Sequence, residues 1–424
     1  MNTRLITFFI TLPFGVSLQN LAAEDSGAAS PAFIRRLVRE AEASHPSVQA
    51  AAARSQAAAS AIGAIRLWED PQLGLGTLFA SNVNRQGNGD ISVGIDQMLP
   101  RRGLYRAEKS RALAEQQAQQ AMQKQTANEL GLMVAQAALE LALADEVIRL
   151  QAENVAWLET IVKTAEERAK NPDATGTETL RLESELSVKK QTLASARRQR
   201  TQFATTLNLL LGRPADATWS ALSLPPKAQD HASATALKVR LERDNPQLAA
   251  LRHQTEAAQA ESTAAREKRK PAFSVGLQVN TYSQGTLQDT MAMLNFKMTL
   301  PWFNRAAYKS DIARADKLHE AAQSDLAAQQ RLLYSQLSAF ITEARNGQQL
   351  VNAYVSEVIP KSEKTVETLQ NAWISSKATL LEVLDARRAL LEAHMEHERA
   401  LAAWQVALQN LAALTGGFTQ TTHP

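Results

Sequence analysis

Two periodicities divide this chain. Apolar and alanine positions three and four apart run through most of it, as at Leu130, Val134, Ala137, Leu141, Ala144 and Ile148, and that spacing lays one apolar stripe along a helix. Ile34 to Leu67 reads as helical, with a break near His45-Pro46 and a stop at Trp68-Glu69-Asp70-Pro71, because the residue before a proline is driven out of the helical region. The period then changes to two. Leu73, Leu75, Thr77 and Phe79 alternate with Gln72, Gly74, Gly76 and Leu78, and beyond a polar loop from Ser81 to Gly89, Ile91, Val93 and Ile95 alternate with Ser92, Gly94 and Asp96. A strand hairpin over about 72–99 follows. From Leu104 to Lys170 there is no proline and a single glycine, Gly131, which predicts a helix about 100 Å long. No globular core covers that length, so it must pack in a coiled coil or a helical barrel. Asn171 to Gly176 turns the chain, and a returning helix from Thr177 to Leu211 completes a helical hairpin over about 104–211, closed by Gly212-Arg213-Pro214.

The same succession then begins again. His45-Pro46 is echoed by Asn245-Pro246, Pro71 by Pro271, Leu99-Pro100 by Leu300-Pro301 and Leu211-Gly212 by Thr415-Gly416, at offsets of 200, 200, 201 and 204. This predicts an internal duplication: a first repeat over 24–214, a linker over 215–235, a second repeat over 236–417 and a tail over 418–424. The second repeat holds a strand hairpin over about 272–300 and a helical hairpin over about 305–414, with a kink or restart expected at Pro360. Strands of about ten residues with an apolar face suit a tilted outer-membrane barrel. Each hairpin alone fits a half-buried hairpin of a soluble domain equally well. Four strands cannot close a barrel, and unpaired backbone groups in lipid cost several kcal/mol each. A membrane reading therefore needs several chains, and three would supply twelve strands.

Composition narrows the function. Residues 1–23 read as a secretory signal, with Arg4, an apolar run from Leu5 to Leu18 and a small-residue site at Ala22-Ala23. The 424 residues carry 21% charged and 5% aromatic side chains, the usage of packed long helices. A net charge of +3, spread evenly, gives no nucleic-acid footprint. The absence of cysteine removes disulfides, thiolate metal sites, thiol catalysis and a cysteine-linked lipid anchor. No phosphate loop, nucleotide fingerprint or nucleophile motif occurs, so no enzyme and no cofactor are expected. His394 and His397, three apart on a helix, lack zinc-protease spacing and need a third ligand to hold a metal; Met291 and Met293, on the expected lumenal strand face, have thioethers that suit soft metal ions but read first as gap-fillers. Glu382 and Asp385, also three apart, share one face at the start of a helix. Their spacing alone fits a solvated first turn that favours the helix dipole.

The whole mature chain resembles outer-membrane factors of the TolC family, the trimeric ducts of tripartite efflux pumps. Asp70-Pro71-Gln72-Leu73, Pro100-Arg101-Arg102-Gly103 and Leu300-Pro301-Trp302-Phe303-Asn304-Arg305 resemble its heavy-metal-efflux branch. The resemblance implies a mainly α fold with membrane β: a homotrimer whose twelve-stranded transmembrane β-barrel, four strands per chain, continues into a long periplasmic α-helical barrel. It also implies passive conduction, most naturally of heavy-metal cations, from an inner-membrane RND-type pump and a periplasmic adaptor protein through the outer membrane of a Gram-negative bacterium. In related ducts the second helical hairpin narrows the entrance and carries an acidic pair, matched here by Glu382 and Asp385, with an aromatic residue matched by Trp373. Adaptor docking would fall on the hairpin tips, at Gly176, Thr177, Ser376 and Lys377. The chain departs at Ser376, where a tip glycine is usual, and at Ala378, where some members keep an arginine. Drugs or other organic molecules as cargo, and a periplasmic coiled-coil structural or adaptor protein, are the alternatives.

Overall fold

The computed structural model describes residues 27–78, 90–169, 177–225, 233–284 and 287–418; the signal reading, the first strand loop and Gly176 lie outside them. Helix α1 (Pro31–Ser44) is capped by Ser30, whose hydroxyl accepts from the Phe33 amide at 3.2 Å. His45 ends it and caps α2 (Pro46–Ala64), with Pro46 in the first turn. The second repeat opens in the same way. Asn245 ends α5 (Ala234–Asp244), and its side chain accepts from the Leu248 amide at 2.9 Å to cap α6 (Pro246–Lys268). Proline suits the first helical turn because its missing N–H would have no intrahelical partner there.

Strands β1 (Gln72–Leu78) and β2 (Asp90–Met98) lead into α3 (Arg102–Ala169), 68 residues long, and its partner α4 (Thr177–Leu211). Strands β3 (Phe273–Gln284) and β4 (Leu287–Met298) lead through a 3-10 turn at Pro301–Asn304 into α7 (Arg305–Ala353), α8 (Ile359–Ile374) and α9 (Leu380–Leu414). Both α4 and α9 end in a glycine with left-handed backbone, Gly212 at φ 71° and Gly416 at φ 69°. The hydrogen bonds match as well: Arg213 N to Asn208 O at 2.8 Å and Gly417 N to Ala412 O at 2.7 Å close the same terminal motif. The duplication thus extends to individual caps.

The four strands form one antiparallel sheet in the order β1-β2-β3-β4. Its register carries Leu73, Ile95, Leu277 and Leu294 in one row and Leu75, Val93, Val279 and Ala292 in the next, all on one face. The other face has Gln72, Asp96, Gly276 and Asn295, then Gly74, Gly94, Gln278 and Met293. Asp96 crosses β3 to meet Lys297 at 2.8 Å. Glycine at 276 permits this, since a Cβ there would lie 2.3 Å from the Asp96 carboxylate. Leu75 and Phe296 on the apolar face are each 75% exposed, and β1 and β4 are edge strands. A sheet this apolar with open edges is incomplete by itself.

Residues 215–225, expected as linker, are partly built into the core. Leu222 and Leu224 are buried. Asp145 on α3 pairs with Arg200 on α4 and also accepts from the Leu222 amide at 2.9 Å. Arg200 donates to the Trp219 carbonyl at 3.0 Å, and the Trp219 indole donates to Asn208 at 2.7 Å. The expected break near Pro360 takes the form of a π turn at Tyr354–Val358 that ends as α8 begins. Proline would clash with the preceding turn of an α-helix and leave one of its carbonyls unbonded; the wider turn absorbs both. No described helix is long and apolar enough to cross a membrane.

Two glycine substitutions should move stability in opposite directions. Gly416→Ala should lower it by about 1–2 kcal/mol, because its Cβ would meet the Asp244 carbonyl oxygen at 2.5 Å. Gly63→Ala, with nothing within 4 Å of the new Cβ, should raise it by about 0.5–1 kcal/mol. Thermal unfolding of the two variants against the parent checks both signs.

Candidate functional site

The end of the α8–α9 hairpin gathers most of the residues singled out by sequence. Helix α8 closes with Ser376 at φ 59°, the one non-glycine residue with positive φ among the described residues. The Ser376 amide donates to the Trp373 carbonyl at 2.9 Å and the Lys377 amide to Ala372 at 2.7 Å. This is the terminal motif that uses glycine at 212 and 416, here made with serine at some cost in backbone strain. Thr379 then caps α9: its hydroxyl accepts from the Glu382 amide at 3.3 Å, and the Glu382 carboxylate takes the Thr379 amide at 2.7 Å and hydroxyl at 2.9 Å. Those two bonds, the backbone one first, hold the Glu382 carboxyl below the usual carboxylate range.

Asp385 lies on the same helix face, exposed, 3.2 Å from Arg388. Arg388 also reaches Glu185 on α4 at 2.9 Å. Burial raises the Glu185 pKa, but hydrogen bonding and charge from Arg388, then Lys189, outweigh it and leave the pKa lowered. Thr177 stands exposed at the start of α4, and Lys377 is exposed at the tip.

Trp373 does not face solvent. It is 1% exposed, packed with Leu158, Ile161, Val162, Leu182, Leu380, Val383 and Leu384 in a core that joins the two helical hairpins. Arg168, at the end of α3, lies 4.6 Å over its ring and donates to its carbonyl at 2.9 Å and to the Ser376 hydroxyl at 3.2 Å. A cation there also suits the negative end of α8. Above this clamp, Arg387 stacks 5.0 Å from the Trp157 ring and contacts Asn154 at 3.3 Å. Sequence reading missed Arg168 and Glu185, whose partners lie 205 and 203 residues away. Their one local mark, charge near a helix end or face, is common to most helices.

The other candidates stay apart. His394 is 3.8 Å from Glu363, and burial holds its imidazole below the usual range; His397 pairs with its neighbour Glu398 at 3.1 Å. No group of three His, Cys, Asp or Glu among the described residues is arranged to hold a metal. Met291 and Met293 lie opposite Asn280 and Gln278 on the polar face of the sheet.

Residues 37–213 and 238–417, nearly the whole of both repeats, match the family described as Outer membrane efflux protein, and the chain belongs to it. The fold agrees with solved outer-membrane channels. OprN superposes with a TM-score of 0.79 at 15% identity, over 91% of this chain and 90% of that one. CusC superposes at 0.75 with 17% identity, over 90% and 91%. The open state of MtrE from Neisseria gonorrhoeae gives 0.75 with 18% identity, over 92% and 91%. No curated protein sequence matches. The protein is thus an outer-membrane efflux channel and not an enzyme, its sheet one share of a transmembrane barrel and its long helices the periplasmic extension. Channels of this family form trimers and work with an adaptor and a pump.

The tip chemistry makes two predictions. Ser376→Gly should stabilise the protein by about 1 kcal/mol, read as a higher unfolding temperature. The Glu382 contribution, from a carboxyl whose folded pKa is depressed, should be complete above the unfolded value of 4.5 and disappear as pH falls through the folded one. The stability difference between the parent and Glu382→Gln should therefore be present at pH 7 and shrink below pH 4.5; a difference that grows on acidification contradicts the assignment.

Proposed function

We propose that this chain is the outer-membrane duct of a tripartite RND-type export system and conducts heavy-metal cations. The adaptor docks on the hairpin tips, at Gly176, Thr177, Ser376 and Lys377, and the α8–α9 hairpins form the periplasmic entrance. The observation that carries the cation reading is the exposed acidic pair, Glu382 and Asp385, next to the tip. In a trimer three such pairs surround one axis, where like charges concentrate cations. Asp385 is offset by Arg388, so Glu382 supplies the larger share of the entrance field. The branch assignment draws further support from the turn built by Pro301-Trp302-Phe303-Asn304.

Trp373 acts on this gate from behind. The inner hairpin moves outward only by releasing Arg168 from the Trp373 ring and carbonyl and Arg388 from Glu185. Adaptor contacts that favour the open arrangement would shift the population accordingly. Loss of the Arg168 clamp should raise the open-to-closed ratio by roughly five- to tenfold per subunit.

Planar-bilayer recordings test both parts. Glu382→Ala should reduce cation preference and block by multivalent cations more than Asp385→Ala does, and Arg168→Ala should raise open probability. An unchanged preference in the double acidic variant would remove the electrostatic filter. For cargo, deletion of the gene should sensitise cells to cobalt, zinc, nickel, copper or silver salts. Sensitivity confined to detergents and dyes would transfer the protein to the organic-cargo reading.

A further inference from the structure

The four junctions between strands and helices all lie at one end of the strands, and their charge is unlike that of the rest of the chain. Residues 66–70, 101–111, 266–270 and 305–314 hold thirteen Lys and Arg against five Asp and Glu, a net +8 where the whole chain carries +3. Arg102 opens α3 and Arg305 opens α7, and neither helix has an acid in its first turn. Cations at a helix N-terminus oppose the helix dipole, which favours anions there. Helix stability therefore does not explain their placement.

Five of these cations, Arg102, Arg106, Arg269, Arg305 and Lys309, are exposed and have no carboxylate partner among the described residues. Arg101 is different: it ties the α3 start to the carbonyls of Glu267 and Lys270 and so draws the α3 and α6 ends together. Along the chain, Trp68 stands between Arg66 and β1, and Trp302 and Phe303 between β4 and Arg305; they are exposed by 54%, 54% and 79%. Phe273, Phe296 and Met298, at the adjoining strand ends, share the apolar face of the sheet. Aromatic side chains with an apolar body favour the boundary between hydrocarbon and headgroups.

We propose that this collar binds anionic glycerophospholipid in the periplasmic leaflet of the outer membrane. The aromatic rings lie at the level of the glycerol, and the arginines hold the phosphates. Continuity with the lipid-facing sheet and opposite charge both point to this occupant. The collar fixes the depth of the barrel and the height of the helices beneath it. It is independent of what the channel carries.

The test uses the full-length channel in vesicles of phosphatidylcholine with a small fraction of spin-labelled phosphatidylglycerol or spin-labelled phosphatidylcholine. Electron paramagnetic resonance reads the motionally restricted lipid next to the protein. The parent should favour phosphatidylglycerol by about threefold or more at low salt, and the preference should fall as ionic strength rises. Arg102→Gln/Arg269→Gln/Arg305→Gln should bring it close to one while single-channel conductance stays at the parent value. A parent with no preference overturns the proposal, as does a folded triple variant that keeps it. Neither result touches the channel assignment, which conductance reads separately.

Discussion

Backbone hydrogen bonding in lipid is the constraint on which the rest of this structure depends. Every amide and carbonyl inside the hydrocarbon must be paired, because water is not there to solvate it. The chain supplies four strands whose two outer members have one unpaired edge each. The edges are satisfied only by other copies, so membrane insertion and assembly are one event. Symmetry then multiplies each feature of the protomer around a common axis. The apolar rows become the lipid face and the glycine-rich rows the lumen, where Asp96 pairs with Lys297.

The helices answer a different demand, that of spanning a wide aqueous space with a thin wall. Alanine-rich stripes let them approach closely, and Gly347 lets α7 touch α9 at Trp404, where a Cβ would come within 2.9 Å. The wall is stiff where the two repeats interlock through α1, α3, α7, α9 and the pinned segment around Trp219. Below the π turn the α8–α9 hairpin rests on a smaller core centred on Trp373 and a few arginine contacts. A small core closed by polar contacts is the less stable end of such a molecule.

Much of this was legible in the sequence. Period-two alternation located both strand hairpins, the prolines at 46 and 246 marked two equivalent helix starts, and the glycines at 212 and 416 marked two equivalent ends. These signals are local, set by backbone geometry within a few residues. What sequence did not reveal is long-range. Trp373 reads as an entrance aromatic but is buried beneath Arg168, a residue of the other repeat. Glu382 is a local case instead: it reads as an acid on a solvated first turn, and its carboxylate caps that turn through Thr379, three residues away. The stretch after Pro214 reads as linker because of its prolines, but Asp145 and Arg200 fasten it to the wall.

The central claim is that the open sheet edges are closed by copies of the same chain. Native mass spectrometry of the particle extracted from outer membranes measures this directly, with circular dichroism reporting whether the β signature survives dissociation. The account predicts three chains per particle and loss of the β signature once the chains separate. A stable single chain that keeps its sheet in detergent would contradict it.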